Sequence, residues 1–199
     1  MPICNNRKIF FVHVPKTAGT TIEEALNLRN SKNIYDKGVR LDTVPVTRQH
    51  LYASELLKES GIKIKGYYAF AVVRNPFDRL VSEYGFMPNN YFVPEKIKSM
   101  RFEEFVRTSL KMDPLERRFI FDGHLELQSN YVDIENVKIF KYENLSECFD
   151  ELNKKFGPLE FGHHLKTDRK HWEEYYTPEL KEFVYDFYKE DFTRFGYIS

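Results

Sequence analysis

The chain has 199 residues, of which 16% are aromatic and 30% are charged, and its 30 basic residues balance 30 acidic ones. This length suffices for one well-buried core, and no Pro-, Gly- or Ser-rich stretch divides it, so we expect a single domain over residues 1–199. The composition is that of an ordered globular protein. Because the net charge is zero, a general electrostatic attraction to nucleic acid or to an anionic membrane is excluded, and any anion site must be local.

The cysteines and the apolar segments bear on the compartment. Cys4 and Cys148 have no metal-type spacing and cannot form a disulfide framework, which suits a reducing environment. The apolar run from Ile9 to Val14 is interrupted by His13 and is far shorter than a membrane span or a secretory core region. We therefore expect a cytoplasmic protein without a membrane span, and these patterns leave its oligomeric state open.

The first predicted unit is a strand, a tight loop and a helix. Ile9 to Val14 is β-branched and aromatic and stops at Pro15, which is typical of a strand buried on both faces. Thr20 to Leu26 then contains good helix formers. We place the acidic residues Glu23 and Glu24 in the first turn of this helix, where the helix dipole favours negative charge.

A second unit repeats this order further along the chain. Tyr67 to Val73 is another buried-strand pattern, and Asn75 can cap a helix that has Pro76 at its first position. The alternation predicts an α/β fold of three layers, with a central parallel sheet between helices and with ligands at the carboxyl ends of the strands. The other predicted elements are a helix over 51–60 ended by Gly61, a helix over 102–110, a strand over 137–142 and a helix opened by Thr177 and Pro178.

The loop between the first strand and its helix is a candidate phosphate-binding site, because its backbone N–H groups and hydroxyls meet the positive end of the helix dipole. Against the nucleotide pattern GxxxxGK[ST], Gly19 and Thr21 match, but Val14 replaces the first glycine and Thr20 the lysine. An ATP hydrolase is therefore disfavoured. The candidate ligand-binding residues are Lys16, Thr17, Ala18, Gly19, Thr20 and Thr21.

Two basic residues give the site its chemistry. Lys16 lies three residues before Gly19, where its ammonium can stabilise charge on the oxygen of a leaving phosphate. Arg74 follows the second strand and offers a bidentate fork to a phosphate, and Ser82, eight residues later, can add a hydroxyl donor. Taken singly, the loop is also compatible with an ordinary turn, Arg74 with a salt bridge and Ser82 with a plain helix serine.

The segments HVPKTAGTT around Lys16 and VVRNPFDRLVSEY around Arg74 together resemble the two nucleotide-binding motifs of the sulfotransferase superfamily, which uses 3′-phosphoadenosine 5′-phosphosulfate (PAPS). The resemblance is greatest to the branch that includes carbohydrate sulfotransferases and small bacterial relatives. It implies a P-loop NTPase-like fold, a first loop that holds the 5′-phosphosulfate, and Arg74 and Ser82 as the 3′-phosphate site. It also implies transfer of a sulfuryl group to a hydroxyl or amine, with carbohydrate among the candidate acceptors. Weaker resemblances lie at 128–132, 142–145 and 191–197.

The reaction also needs a base, and a histidine suits this role near neutral pH. His50 is our candidate, because its position between the two motifs resembles that of the catalytic histidine in several sulfotransferase branches, and Arg48 could assist at the sulfuryl oxygens. Glu23 and Glu24 are the alternatives, since other branches use a glutamate. His13, within the strand pattern, is expected to be a core residue.

A basic stretch precedes Trp172, in a region where family members often close a loop over the nucleotide. It could clamp the donor or meet an anionic acceptor, and it could equally be a solvated loop. Its histidines lack the carboxylate or cysteine pattern of a metal site, so we predict no metal. The residues are His163, His164, Lys166, Arg169, Lys170 and His171.

Two other functions are compatible with part of this pattern. A P-loop kinase would require a lysine at position 20 and an acidic magnesium ligand after a strand, and neither is evident. A catalytically silent nucleotide-binding module is distinguished from an enzyme by whether Lys16→Ala and His50→Ala abolish turnover while leaving nucleotide affinity largely intact. The acceptor depends on the loops over 30–48 and 86–128, which composition does not decode.

Overall fold

The computed structural model describes residues 3–28, 46–162 and 169–198. Its strands are β1 (Ile3–Cys4), β2 (Ile9–Val12), β3 (Tyr68–Val73) and β4 (Lys138–Lys141). Its α-helices are α1 (Gly19–Ala25), α2 (Ala53–Ser60), α3 (Pro76–Phe86), α4 (Glu95–Lys98), α5 (Phe102–Leu110), α6 (Pro114–Ile120), α7 (Gln128–Tyr131), α8 (Leu145–Phe156), α9 (Pro178–Phe187) and α10 (Lys189–Phe195). Short 3₁₀ helices cover Arg48–His50, Met87–Asn89, Tyr142–Asn144 and Trp172–Tyr175.

The four strands form one sheet in the order β1-β2-β3-β4. β2 pairs with β3 and β3 with β4 in parallel, with Phe11 opposite Phe70 and Val72 opposite Phe140. The expected α/β class with a mainly parallel sheet is therefore confirmed. β1 adds an antiparallel edge that the sequence did not predict, because a strand of two residues is too short to show any periodicity.

Helices cover the sheet on both faces, because successive side chains of a strand point to opposite sides. One face is built from Phe10, Val12, Ala69, Ala71 and Ile139 and packs against α2 and Tyr131. The other is built from Ile9, Phe11, Phe70, Val72 and Phe140 and packs against Ile22 of α1 and Cys148 and Leu152 of α8. The continuous apolar runs of β2 and β3 thus reflect burial on both faces.

A third apolar cluster lies outside these two layers and joins α3, α5, α9 and α10. Its buried members include Phe77, Leu80, Phe105, Val184 and Phe192. The single tryptophan, Trp172, stacks on Phe77 with 5.3 Å between ring centroids. This cluster fixes α3, the helix that follows Arg74.

The helix starts test the capping predictions. Asn75 accepts a hydrogen bond from the amide of Phe77, and Thr177 accepts one from the amide of Leu180, so both predicted caps are confirmed. The placement of Glu23 and Glu24 in the first turn of α1 was wrong, because this helix already begins at Gly19 and has no acidic residue in its first turn. Both glutamates lie one turn further on.

No helix in the described ranges is long and apolar enough to cross a membrane. Cys4 and Cys148 are free and buried.

Candidate active site

Three neighbouring parallel strands end at the same edge of the sheet, and each is followed by a residue of the candidate site. Lys16 follows β2, Arg74 follows β3 and Tyr142 follows β4. The carboxyl ends of parallel strands are the usual position of ligand sites in α/β folds. The structure therefore places the candidate residues from both sequence motifs at one edge.

The loop after β2 has a backbone suited to an anion. Lys16 and Ala18 adopt φ angles of 68° and 67°, and Thr17 lies between them. Backbone N–H groups turn inward when left-handed residues alternate with others in this way, which forms a concave anion site. Thr17 is buried and its hydroxyl donates to the carbonyl of Val14 at 2.8 Å, so this hydroxyl stabilises the loop itself.

Gly19 is required by its close approach to His13. A Cβ atom on residue 19 would lie 2.2 Å from Nε2 of His13, which no side chain could occupy without displacing the imidazole. The His13 ring is held from its other side by Glu23, with 2.5 Å between Nδ1 and Oε1. His13 is buried as expected, but it follows the last residue of β2 and belongs to the site's edge of the sheet.

Lys16 projects into a largely buried position. Its Nζ atom lies 3.8 Å from the centroid of the Phe86 ring, a cation–π contact, and it forms no salt bridge with any residue in the described ranges. The pKa of Lys16 is lowered to about 8, chiefly by burial, with Arg74 and Arg169 acting in the same direction and Glu83 opposing them. The side chain is thus largely protonated at neutral pH.

Arg74 connects the two sequence motifs. Its Nη1 donates to the carbonyl of Lys16 at 3.0 Å, and its Nε donates to Oδ2 of Asp78 at 2.7 Å. Its guanidinium carbon lies 3.9 Å from the centroid of the Tyr142 ring. Asp78 also pairs with Arg169 at 2.5 Å, so two guanidiniums share one carboxylate and leave a net positive charge.

The weakly matching segments support the backbone of Arg74. The side chain of Gln128 accepts from the amide of Arg74 at 2.9 Å and donates to its carbonyl at 2.8 Å. Asp191 accepts from the amide of Gln128 at 2.8 Å, and Glu143 accepts from the amide of Asn75 at 2.6 Å. The three segments, at 128–132, 142–145 and 191–197, thus all contribute hydrogen bonds that hold the backbone at the end of β3.

Ser82 lies on α3 in its second turn and is 8% exposed. Its hydroxyl forms no hydrogen bond with any residue in the described part of the chain. Because its neighbours leave this donor unused, the side chain is available to a ligand.

His50 forms a dyad with Asp122, a residue that the sequence analysis did not select. His50 is 3% exposed, and its Nδ1 donates to Oδ2 of Asp122 at 2.8 Å. Asp122 also accepts from the amide of Thr47 at 2.6 Å and from its hydroxyl at 2.7 Å. This arrangement leaves the lone pair on Nε2 of His50, where the side-chain amide of Gln49 lies at 3.2 Å.

The electrostatics of the dyad follow from its burial. Burial lowers the pKa of His50 to about 3 despite the opposing effect of Asp122, so the imidazole is neutral at pH 7. Burial by itself would raise the pKa of Asp122, but His50, His124 and the Thr47 amide together hold it below its usual range. A neutral imidazole oriented by an ionised carboxylate is the arrangement expected of a general base.

A second histidine–carboxylate pair lies beside the first. The rings of His50 and His124 meet at 80° with 4.7 Å between centroids, and Nδ1 of His124 pairs with Oε2 of Glu83 at 2.7 Å. The sequence analysis missed Glu83, Asp122 and His124. The one signal was the spacing of Asp122 and His124 around Gly123, in a region where no helix or strand was predicted.

The same residues form a group that could hold a metal ion. Among the described residues, ligand atoms of His50, Asp122 and His124 all lie within 4.8 Å of one another. The Nδ1 atoms of both histidines already bind carboxylates. The absence of a metal from the reaction stays a prediction.

The remaining candidates are placed as follows. Glu23 is fully buried and bound to His13, and Glu24 is exposed on α1. Arg48 forms a salt bridge with Glu59 at 2.5 Å. From the basic stretch, Arg169 reaches the site through its salt bridge with Asp78. Lys170 and His171 pair with Glu174 and Glu173, and His163, His164 and Lys166 lie outside the described residues.

Comparison with known proteins decides between the functions that such an anion site could serve. The family model described as "Sulfotransferase family" matches residues 1–198. The chain belongs to the sulfotransferase family. Searches of curated proteins and of solved structures find no significant match. Membership of this family gives sulfuryl transfer as the general reaction.

Proposed function

We propose that this sulfotransferase moves the sulfuryl group of PAPS to a hydroxyl or amine of its acceptor, with Lys16 and His50 as its catalytic residues. The observation that supports this most is the hydrogen bond of 3.0 Å from Nη1 of Arg74 to the carbonyl of Lys16, which joins the two halves of the proposed donor site. A 3′-phosphate distinguishes PAPS from ATP, and a site with two separate anion-binding halves suits it.

The residues present fit this donor. The loop from Lys16 to Thr21 would hold the 5′-phosphosulfate through backbone N–H groups, the Lys16 ammonium and the hydroxyls of Thr20 and Thr21. The Arg74 and Arg169 guanidiniums around Asp78 keep positive charge beside Ser82, whose hydroxyl is unused. These groups would bind the 3′-phosphate. When bound, PAPS supplies the activated sulfuryl group.

His50 acts as the base in an in-line displacement. The acceptor gives its proton to Nε2 of His50 as its oxygen or nitrogen bonds to sulfur, and the bond from sulfur to the 5′-phosphate oxygen breaks with its electron pair on the phosphate. The acceptor replaces the Gln49 amide at Nε2. An anion nearby raises the pKa of an imidazole, so His50 becomes a stronger base when the donor binds.

Lys16 stabilises the charge that develops on the departing phosphate. Its ammonium is desolvated and held over Phe86, where an electrostatic interaction is stronger than in water. The products are the sulfated acceptor and 3′-phosphoadenosine 5′-phosphate (PAP), with no covalent enzyme intermediate. Carbohydrate is the first acceptor class to test, because the sequence resembles the branch that contains carbohydrate sulfotransferases. We assign the reaction to the cytoplasm, which the two free cysteines support.

The proposal is tested with PAPS labelled on sulfur and a panel of hydroxyl and amine acceptors. Wild-type protein should transfer label to at least one acceptor class, with carbohydrates tested first. Lys16→Ala and His50→Ala should each lower turnover by roughly 10²-fold or more, because each removes a group that acts in the transition state. If both variants bind PAP and turn over as fast as the wild type, the proposed roles of Lys16 and His50 are contradicted. If the wild type binds nucleotide but transfers no label to any acceptor, it is a silent binding module.

A further inference from the structure

Glu83 is a buried acid beside the proposed donor site. It lies on α3 with no exposed surface, and its Oε2 accepts the hydrogen bond from Nδ1 of His124 at 2.7 Å. Its other oxygen, Oε1, is buried and has no hydrogen-bond partner among the described residues. The negative charge of this carboxylate is therefore only partly compensated by its immediate neighbours.

Packing connects this carboxylate to the Lys16 ammonium. Glu83 and Phe86 are three residues apart on α3, so they lie on the same side of the helix. The Lys16 ammonium forms a cation–π contact with the Phe86 ring, and the His124 ring packs against Phe86 with 5.7 Å between centroids. Lys16, Phe86, His124 and Glu83 thus form a continuous chain of contacts in which each group restricts the next.

Positive charges outnumber negative ones among the groups that shift the pKa of Lys16. Arg74, after β3, and Arg169, before Trp172, both disfavour a proton on its amine, as does burial. Glu83 on α3 favours the proton. An ammonium that must stabilise a leaving phosphate needs this proton, and Glu83 is the acid on the facing helix that retains it.

We propose that Glu83 is a positioning residue for sulfuryl transfer, whose carboxylate, fixed by His124, keeps Lys16 charged and in place over Phe86. This inference rests on the proposed role of Lys16. It adds a requirement for a residue that does not contact the donor or the acceptor.

The test is the pH dependence of kcat/KM for PAPS in Glu83→Gln. In the wild type, activity should fall above about pH 8, as Lys16 loses its proton. In Glu83→Gln, this alkaline limb should move down by about one pH unit or more, because an opposite charge has been removed. Glu83→Asp retains the charge at a greater distance and should show a smaller shift. Glu126→Gln, which removes another buried carboxylate that pairs with Arg117, should leave the limb in place.

Acylation of the Lys16 amine, followed by mass spectrometry across pH, gives a readout that needs no turnover. The amine should react several-fold faster at pH 7 in Glu83→Gln than in the wild type, because more of it is unprotonated. If Glu83→Gln does not fold, Glu83→Asp carries both measurements. An alkaline limb and an acylation profile equal to those of the wild type would overturn the proposal.

These outcomes are separable from a failure of the proposed function. If the wild type transfers nothing from PAPS, or if Lys16→Ala retains full transfer, the proposed function is wrong irrespective of Glu83. If transfer requires Lys16 but the limb does not move in Glu83→Gln, only the role of Glu83 is overturned.

Discussion

Asp122 determines which nitrogen of His50 carries the proton. Because it binds Nδ1, the basic lone pair is at Nε2, and the imidazole cannot rotate without breaking a buried hydrogen bond. The amide and hydroxyl of Thr47 in turn fix the carboxylate. The proposed base therefore consists of three side chains, of which only the histidine could be selected from the sequence.

Asp122→Asn should lower kcat by roughly 10²- to 10⁴-fold while the protein stays folded, because an amide can favour the wrong tautomer of His50. The measurement is kcat with saturating PAPS and acceptor at pH 7. Asp133→Asn is the matched control, since Asp133 binds Ser54 on the surface, and it should leave kcat unchanged. Wild-type turnover in Asp122→Asn would show that the carboxylate has no part in orienting the base.

The start of α1 depends on one glycine. Helix propensity alone would favour alanine over glycine at position 19 by about 1 kcal/mol. The His13 imidazole opposes this change, because it occupies the space that a Cβ atom would need. The loop and the helix are thus matched to each other through a residue at the end of the strand.

Gly19→Ala should destabilise the protein and weaken PAP binding, because the His13 ring or the loop must move. The measurements are the free energy of unfolding in denaturant and the affinity for PAP by calorimetry. Adding His13→Ala should recover part of the stability lost by Gly19→Ala, since it removes the atoms in conflict. If Gly19→Ala is as stable as the wild type and binds PAP equally well, the requirement for glycine at position 19 is contradicted.

The sequence predicted the long periodic elements better than the short ones. The helix over 102–110 has the bounds that its apolar spacing indicated, and Asn75 and Thr177 begin their helices as their side chains predicted. Short helices such as α4 and α7 were not predicted, since one turn does not establish a period. Within the site, Lys16 and Arg74 could be selected because each follows a recognisable strand. Asp122 could not, because it meets His50 only through a contact 72 residues apart in sequence.

The buried histidine His50 makes the stability of the folded protein sensitive to acid. In the unfolded chain His50 should take up a proton near pH 6.5, whereas in the folded protein it does so only near pH 3. The unfolded state therefore binds more protons between these values. The contribution of His50 to the free energy of unfolding is fully present above about pH 6.5 and is lost as the pH falls. Asp122 acts in the same direction, because its pKa is below its usual range in the folded protein.

The free energy of unfolding should fall by at most roughly 1.4 kcal/mol per pH unit on account of His50 as the pH decreases from 6.5 to 4. Denaturant unfolding across this range gives the slope. His50→Gln should have a shallower slope than the wild type, and His171→Gln, at an exposed histidine, should match the wild type. Equal slopes for all three proteins would show that His50 is protonated in the folded state at mildly acidic pH.

We propose that one donor site combines the Lys16 loop with Arg74 and Ser82 and recognises the 3′-phosphate. Calorimetric titration of the wild type and of the double variant Arg74→Ala with Ser82→Ala, using PAP and ATP as ligands, tests this proposal. The wild type should bind PAP more tightly than ATP, and the double variant should lose most of this preference. Equal or tighter binding of ATP by the wild type would contradict it.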